Sequence, residues 1–216
     1  MTSRIDIEAL AADLKPVQRI KPELGLAVTM IASVFASFAI INTYGLRPDI
    51  LEGMPQPLVT IRSGLLLLLG MATAISVTAA ALPSVGRTGD GWLWALAAAL
   101  LLPVSALVAW LYHSAANLPF APGDVDFRYA KWCLQLSIGS ALLIGGALTV
   151  WLRTGAPISL NRAGWLVGIA GGSFGTFSYS LHCPSNSIFY VGLFYTMAVA
   201  ASACIGRLIV PRLIRW

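Results

Sequence analysis

Six long apolar blocks constrain this chain more than any other feature of its sequence. A helix of about twenty residues is roughly 30 Å long, which matches the hydrocarbon layer of a lipid bilayer. The first block is longer than the apolar region of a cleavable signal peptide, so we expect it to be retained. The sequence therefore predicts an all-α integral membrane bundle of six transmembrane helices. The blocks are Leu24–Tyr44, Leu58–Leu82, Trp92–Tyr112, Lys131–Leu152, Ala163–Leu181 and Ile188–Ile209.

The composition agrees with lipid as the surrounding medium, because only 11% of the residues are charged. Soluble domains carry about 25% charged residues, since polar groups must cover their surface. The net charge of +5 arises from Lys and Arg that cluster at the ends of the blocks, as in membrane proteins. We therefore expect contact with membrane lipid and no direct contact with nucleic acid.

The distribution of Lys and Arg predicts the orientation of the bundle, because cytosolic loops are enriched in both residues. If the N-terminus is cytosolic, ten of the 14 basic residues lie on the cytosolic side and four lie on the opposite side. We expect a cytosolic N-terminal segment at 1–23, a transmembrane domain at 24–209 and a cytosolic tail at 210–216. The four basic residues of the opposite side are Arg47, Arg62, Arg128 and Lys131.

Charged residues inside the blocks would indicate an ion or proton path, and they are almost absent. Arg62 is the exception, and it lies near enough to the start of its block to extend its side chain to the interface. This pattern disfavours a coupled transporter or pump. A passive pore for a neutral solute remains an alternative.

Two cysteines and two histidines are expected at the outer face of the membrane. Cys133 opens the fourth block, Cys183 follows the fifth, and His113 and His182 lie at the same level. One interpretation is a thiol pair that is oxidised or binds a soft metal, with the imidazoles as auxiliary ligands. The alternative is that each cysteine is a small buried apolar residue and each histidine an interfacial one. We expect Cys204 to be a packing residue.

The fifth block also contains glycines at four-residue spacing, which place them on one face of a helix. These are Gly164, Gly168 and Gly172, and a neighbouring track contains Gly171 and Gly175. Small residues on one face allow another helix to approach closely. The pattern predicts tight helix packing.

The N-terminal segment has the pattern of a short amphipathic helix. Ile7, Leu10 and Leu14 recur at helical spacing, and Pro16 ends the pattern. Such a helix rests on the bilayer surface or docks into a groove on a cytosolic protein. The acidic residues of the segment, which would be repelled by anionic lipid, favour a protein partner.

Five short motifs, in order along the whole chain, resemble the NrsF-type membrane anti-sigma factors of proteobacteria. The first covers residues 10–17, and the second is Gly45-Leu46-Arg47-Pro48-Asp49, directly after the first block. The remaining motifs are Trp132-Cys133-Leu134, Arg153-Thr154-Gly155-Ala156-Pro157 and Leu181-His182-Cys183-Pro184.

The resemblance implies a multi-pass protein of the bacterial inner membrane that sequesters an extracytoplasmic-function sigma factor. Metal or oxidative stress releases the sigma factor, and the two sensing cysteines of the family correspond to Cys133 and Cys183. The signal would be a transition-metal ion, an oxidant or both, and no resident cofactor is expected. The sigma-binding role falls on the N-terminal segment, where we expect an apolar stripe to be buried in the partner. The stripe residues are Ile7, Leu10, Leu14 and Val17.

Two other classes of function stay open at this point. One is the small passive channel or transporter already mentioned. The other is a membrane thiol oxidoreductase, which usually needs paired cysteines; this chain has no C-x-x-C motif, and Cys133 and Cys183 are fifty positions apart. Since no set of catalytic residues is evident either, we do not expect an enzyme.

Overall fold

The structure, a computed structural model, describes residues 20–82, 100, 103–108, 110–111, 114–116 and 127–214. Within these ranges the regular structure is helical, which agrees with the all-α prediction. The N-terminal stripe, His113 and most of the third apolar block lie outside the described residues, so the N-terminal helix and the count of six spans stay predictions. Residues 103–108 of that third block are helical.

The described helices correspond to the remaining five blocks, with boundaries shifted by a few residues. The last block begins with a single helical turn, continues through a π-turn and extends beyond its predicted end, through Pro211. The elements are α1 (Pro22–Tyr44), α2 (Pro48–Leu51), α3 (Pro57–Ala80), α4 (Phe127–Leu152), α5 (Leu160–Ser180), α6 (Ile188–Tyr190), the π-turn (Val191–Tyr195) and α7 (Thr196–Ile214).

The helix boundaries follow from residues that suit a helix end. Pro22, Pro48 and Pro57 each occupy the first helical position, where the missing N–H is not needed. Gly45 ends α1 with a φ of 86°, a conformation that favours glycine. Ser159 caps α5 by accepting a hydrogen bond from the backbone N–H of Arg162.

Among the described residues, four helical segments are long and apolar enough to cross a membrane, so this is a membrane protein. They are α1, α3, residues 129–152 of α4 and the continuous segment Ile188–Ile214. The fifth long helix, α5, contains 21 residues and is richer in Gly, Ser and Thr. Because α5 packs against α1, α3, α4 and α7, its side chains face protein more than lipid. A central helix shielded in this way needs less apolar surface.

The long helices run between two ends of the bundle, with α1 and α5 in one direction and α3, α4 and α7 in the other. We call the end that carries Cys133 and Cys183 the thiol end, and the end that carries Ile20 and Ile214 the terminal end. The loops between α1 and α3 and between α5 and α6 lie at the thiol end.

Glycines bring α5 unusually close to its two neighbours. A Cβ atom on Gly168 would lie 2.4 Å from the Ser202 carbonyl oxygen of α7, and one on Gly175 would lie 2.5 Å from the Ser137 carbonyl oxygen of α4. We call this contact region the glycine seam. Its members are Gly164, Gly168 and Gly172 against α7, Gly171 and Gly175 against α4, and Gly206 of α7 against α5. Since a side chain would collide with backbone here, only glycine permits this separation.

Candidate functional site

The two cysteines of the thiol end lie in one buried cluster. Cys133 is in the second turn of α4 and Cys183 is in the loop after α5, and both side chains are 0% exposed. They belong to the same apolar cluster. Both are free thiols, whereas Cys204 is exposed on α7. The prediction that Cys204 is a packing residue is therefore wrong, because its side chain is exposed.

Three buried tyrosines surround the thiols. Tyr179 comes from α5, Tyr190 from α6 and Tyr195 from the π-turn, and all three belong to the same buried cluster as the two cysteines. The Tyr190 and Tyr195 hydroxyls are buried and have no hydrogen-bond partner among the described residues. The thiol site is thus enclosed by aromatic rings and largely closed to water.

Arg62 reaches into this site from α3 and is 1% exposed. Its Nη1 donates to the Ser185 carbonyl oxygen at 2.6 Å, and its Nη2 donates to the carbonyl oxygens of Ser180 at 3.3 Å and Cys183 at 3.2 Å. Its guanidinium carbon lies 5.5 Å from the centre of the Tyr195 ring. The guanidinium therefore contacts the end of α5, the cysteine loop and the π-turn.

A second buried arginine, Arg47, contacts the same loop from the α1–α2 connection. Its Nη1 also donates to the Cys183 carbonyl oxygen, and its Nη2 donates to the Asn186 side chain at 2.9 Å. Its other donors bind both carboxylate oxygens of Asp49, at 2.8 and 3.0 Å. This hydrogen-bonded partner lowers the pKa of the Asp49 carboxyl to about 2. Two arginines thus share the carbonyl of Cys183.

His182 lies at the edge of this cluster, with its ring centroid 6.2 Å from that of Tyr179. Its Nδ1 lies 3.0 Å from the Gly45 carbonyl oxygen, and its ring packs against Tyr44 with a centroid distance of 5.5 Å. In the part of the chain that the structure describes, no three His, Cys, Asp or Glu side chains converge as a metal site. A soft metal ion at the thiols would therefore have two sulfur ligands from Cys133 and Cys183, unless the loop rearranged.

The expectation that Arg62 extends to the membrane interface is wrong. The sequence shows only that Arg62 lies near the start of α3. The three carbonyl groups that it contacts lie more than a hundred positions away in sequence. Arg47 and Asp49 belong to a motif that carried the family resemblance, and neither was assigned a role. Arg62 is thus a buried charge inside an apolar block, whereas the buried Arg47 lies in the connection between α1 and α2.

Nearly the whole chain is similar in sequence to known proteins. Residues 10–216 match the family model described as negative regulator of sigma F, NrsF. The chain belongs to the NrsF family. It is 27% identical to the anti-sigma-F factor NrsF of Caulobacter vibrioides, over 97% of each chain. No solved structure matches it.

Membership of the NrsF family makes this chain a negative regulator of a sigma factor, and the family is regulatory rather than catalytic. A sigma factor is accordingly its partner. The four stripe residues that we expect to bind the sigma factor lie outside the described residues, as does His113. They are Ile7, Leu10, Leu14 and Val17.

Proposed function

We propose that this chain holds an extracytoplasmic-function sigma factor at the inner membrane of a bacterium, through its cytosolic N-terminal segment. A transition-metal ion or an oxidant acts on Cys133 and Cys183 from the outer side and causes release. The observation that carries this proposal is the burial of both thiols in one cluster, although they are fifty residues apart in sequence. The family match supplies the sigma factor as the regulated partner.

A single helix connects the thiols to the neighbourhood of the N-terminal segment. Cys133 lies near one end of α4 and Trp151 lies near the other, about 27 Å away at 1.5 Å per residue. The Trp151 ring packs on Gly25 in the first turn of α1, where a Cβ would lie 2.8 Å from it. Ile20, which precedes α1, packs beside Gly155 and Ala81. A displacement of α4 would thus reach the point where the N-terminal segment joins the bundle.

Release requires the signal to favour one state of the bundle over another. Shifting a population from mostly bound to mostly free needs roughly 5 kcal/mol of differential affinity. A bond between the two thiols, or a metal ion held by both, acts on that scale, whereas one peripheral hydrogen bond contributes about 1 kcal/mol. This magnitude favours the thiols over His182 as the element that responds.

The test of sensing uses a sigma-dependent reporter in cells that carry Cys133→Ser or Cys183→Ser. We expect each variant to abolish induction by metals and oxidants while the protein remains in the membrane. Cys204→Ser, which changes an exposed thiol on α7, is the matched control and should respond normally. Unchanged induction in both buried-cysteine variants would refute the sensing role.

The test of sigma binding places a charge on the N-terminal stripe. Leu10→Asp should abolish co-purification of the sigma factor, because a carboxylate in the apolar contact lacks a partner. Ala12→Asp adds the same charge on another face of the predicted helix and should preserve binding. If Leu10→Asp still co-purifies with the sigma factor, the N-terminal stripe does not bind it.

A further inference from the structure

We propose that Arg62 is the positioning residue of the thiol site, which holds the Cys183 loop in place through its guanidinium. The inference deepens the proposed function and rests on it for the significance of Cys183. In this proposal, the position of Cys183, and therefore its response to a signal, depends on the buried Arg62 side chain of α3.

Burial of this guanidinium is costly unless its charge is compensated. Arg62 is inside α3, about 8 Å from the first residue of the helix, and ionised groups at such positions are expensive to bury. Among the described residues the one ion pair is Arg47–Asp49, so the Arg62 charge is offset by carbonyl groups rather than by a carboxylate. Charges buried without an acid are typical of functional sites in membrane proteins.

The carbonyl groups that accept hydrogen bonds from Arg62 lie at and beyond the end of a helix, where hydrogen-bond donors are needed. A helix leaves its last carbonyl groups without partners inside the helix, and Ser180 is the last residue of α5. Arg62 supplies N–H donors to Ser180 and to two carbonyls of the following loop, and a cation also suits the negative end of the helix dipole. The loop that carries Cys183 is therefore capped by a residue of another helix.

The planar fork of the guanidinium explains why an arginine is needed here. Two different nitrogens of Arg62 reach the carbonyls, while the guanidinium lies over the Tyr195 ring. Lysine has a compact ammonium group and cannot spread its donors over the same width. Tyr195 belongs to the π-turn, an irregularity that often marks functional sites. Arg62 thus fixes the Cys183 loop relative to two other elements.

This arrangement links any movement of Cys183 to the loss of hydrogen bonds. The Cys183 carbonyl accepts from both Arg62 and Arg47, so displacing that residue breaks bonds to two charged donors. Hydrogen bonds to charged groups are stronger than neutral ones. Arg62 therefore keeps the thiol loop closed until a signal shifts it.

The experiment measures alkylation of Cys183 by N-ethylmaleimide in native membranes, with the full-length chain carrying Cys133→Ser and Cys204→Ala. In this background we expect Arg62→Gln to label about tenfold faster than the parent, the factor expected when a charged hydrogen bond that restrains local opening is lost. Arg62→Lys should fall between the two. Arg153→Gln is the matched control, because Arg153 also donates to a backbone carbonyl, that of Leu213 at the terminal end; it should label at the parental rate.

A second pair of variants tests the same role without removing the charge. Tyr195→Phe keeps the ring and loses a hydroxyl that has no hydrogen-bond partner among the described residues, so labelling should be unchanged. Tyr195→Leu removes the ring face from Arg62 and should accelerate labelling. If Arg62→Gln fails to accumulate in the membrane, Arg62→Lys decides the question, because it keeps the charge and loses the planar fork.

Parental labelling rates in Arg62→Gln, or equal rates in Tyr195→Leu and Tyr195→Phe, would overturn the positioning role. Equal acceleration in Arg62→Gln and Arg153→Gln would overturn it as well, because that result indicates general loosening of the bundle. The proposed function fails separately: if Cys183→Ser leaves induction intact while Arg62→Gln still accelerates labelling, Arg62 positions a thiol that does not sense.

Discussion

The middle of α5 and its C-terminal end are held in opposite ways. In the middle, the glycine seam places backbone against backbone, and the contacts depend on shape alone. At the end, guanidinium groups reach the carbonyls of a loop and the Ser63 hydroxyl is hydrogen-bonded to the Ser180 hydroxyl, so the contacts depend on direction. Backbone packed at van der Waals distance cannot slide without collisions, whereas a loop held by hydrogen bonds can move once those bonds are broken. An adjustable loop is therefore attached to a helix that is fixed.

This difference suggests a division of roles along a single helix. The seam fixes α5 relative to α4 and α7, so a change at the thiol end is passed to those helices rather than absorbed by α5. The following variants break the seam or the polar end separately, in order of decreasing expected effect.

The largest effect is expected in the glycine seam. Gly168→Ala places a Cβ atom 2.4 Å from a backbone oxygen of Ser202, so α5 and α7 must separate. Overpacking of this kind costs about 1–3 kcal/mol, and more where backbone must move. We expect a clear fall in the thermal stability of the detergent-purified protein. Gly146→Ala on α4, where no atom lies within 4 Å of the new Cβ, should leave stability unchanged or raise it.

At the thiol end, Arg47→Gln should be the most damaging change outside α3. It removes a charged donor from the Cys183 carbonyl and from Asn186, and it deprives Asp49 of its partner. We expect a loss of about 2 kcal/mol in unfolding free energy, since hydrogen bonds to charged groups exceed neutral ones. Urea titration of the detergent-purified protein measures this loss. Arg162→Gln, at an exposed position, should be neutral, and a similar loss in both variants would contradict a specific role for Arg47.

A smaller effect is expected where α5 meets α1. The Ser37 and Ser178 hydroxyl oxygens are 2.9 Å apart, so one donates to the other between the helices. Hydrogen bonds between membrane helices contribute about 0.6 kcal/mol on average. A double-mutant cycle with Ser37→Ala and Ser178→Ala should give a coupling energy of that size. Ser76→Ala, which loses only a hydrogen bond within α3, should show no coupling to Ser178→Ala.

The smallest effect concerns acid. Because Arg47 lowers the pKa of Asp49 from 3.8 to about 2, this carboxylate stabilises the folded protein above about pH 4. That contribution is lost as the pH falls from about 4 towards 2, and it is constant between pH 5 and 8. Thermal melting of the parent and of Asp49→Asn should therefore differ by a constant amount at neutral pH. The two curves should converge only in strong acid, and convergence near pH 6 would contradict the pairing.

The sequence was sufficient to predict the features that depend on residues close together in the chain. The apolar blocks predicted five described helices to within a few residues, because helix length and apolar character are local properties. Glycine spacing on the fifth block placed Gly164, Gly168 and Gly172 on one face, and that face meets α7 in the structure. Cys133 and Cys183 were assigned to the same level of the membrane by the same reasoning about helix ends.

The features that depend on distant residues could not be predicted. Arg62 was expected at the interface because only its distance from a helix end is visible in the sequence. Its burial depends on carbonyl groups of residues 180–185, and nothing local in either segment indicates that they meet. The sharing of the Cys183 carbonyl by Arg47 and Arg62 is equally invisible, since it requires the folded positions of three separate segments.

The π-turn between α6 and α7 has a consequence for how the family can vary. A π-turn accommodates one residue more than an α-helix of the same rise, and each residue of an α-helix turns it by about 100°. Deleting a single amino acid from Val191–Tyr195 should therefore convert the π-turn into a regular α-helical turn and leave Ser202 and Gly206 facing α5. Deleting one from the regular helix between Thr196 and Ser202 should instead rotate Ser202 and Gly206 by about 100°, away from α5. We expect the π-turn to be the place where this last segment can lose one residue and keep its contact with α5.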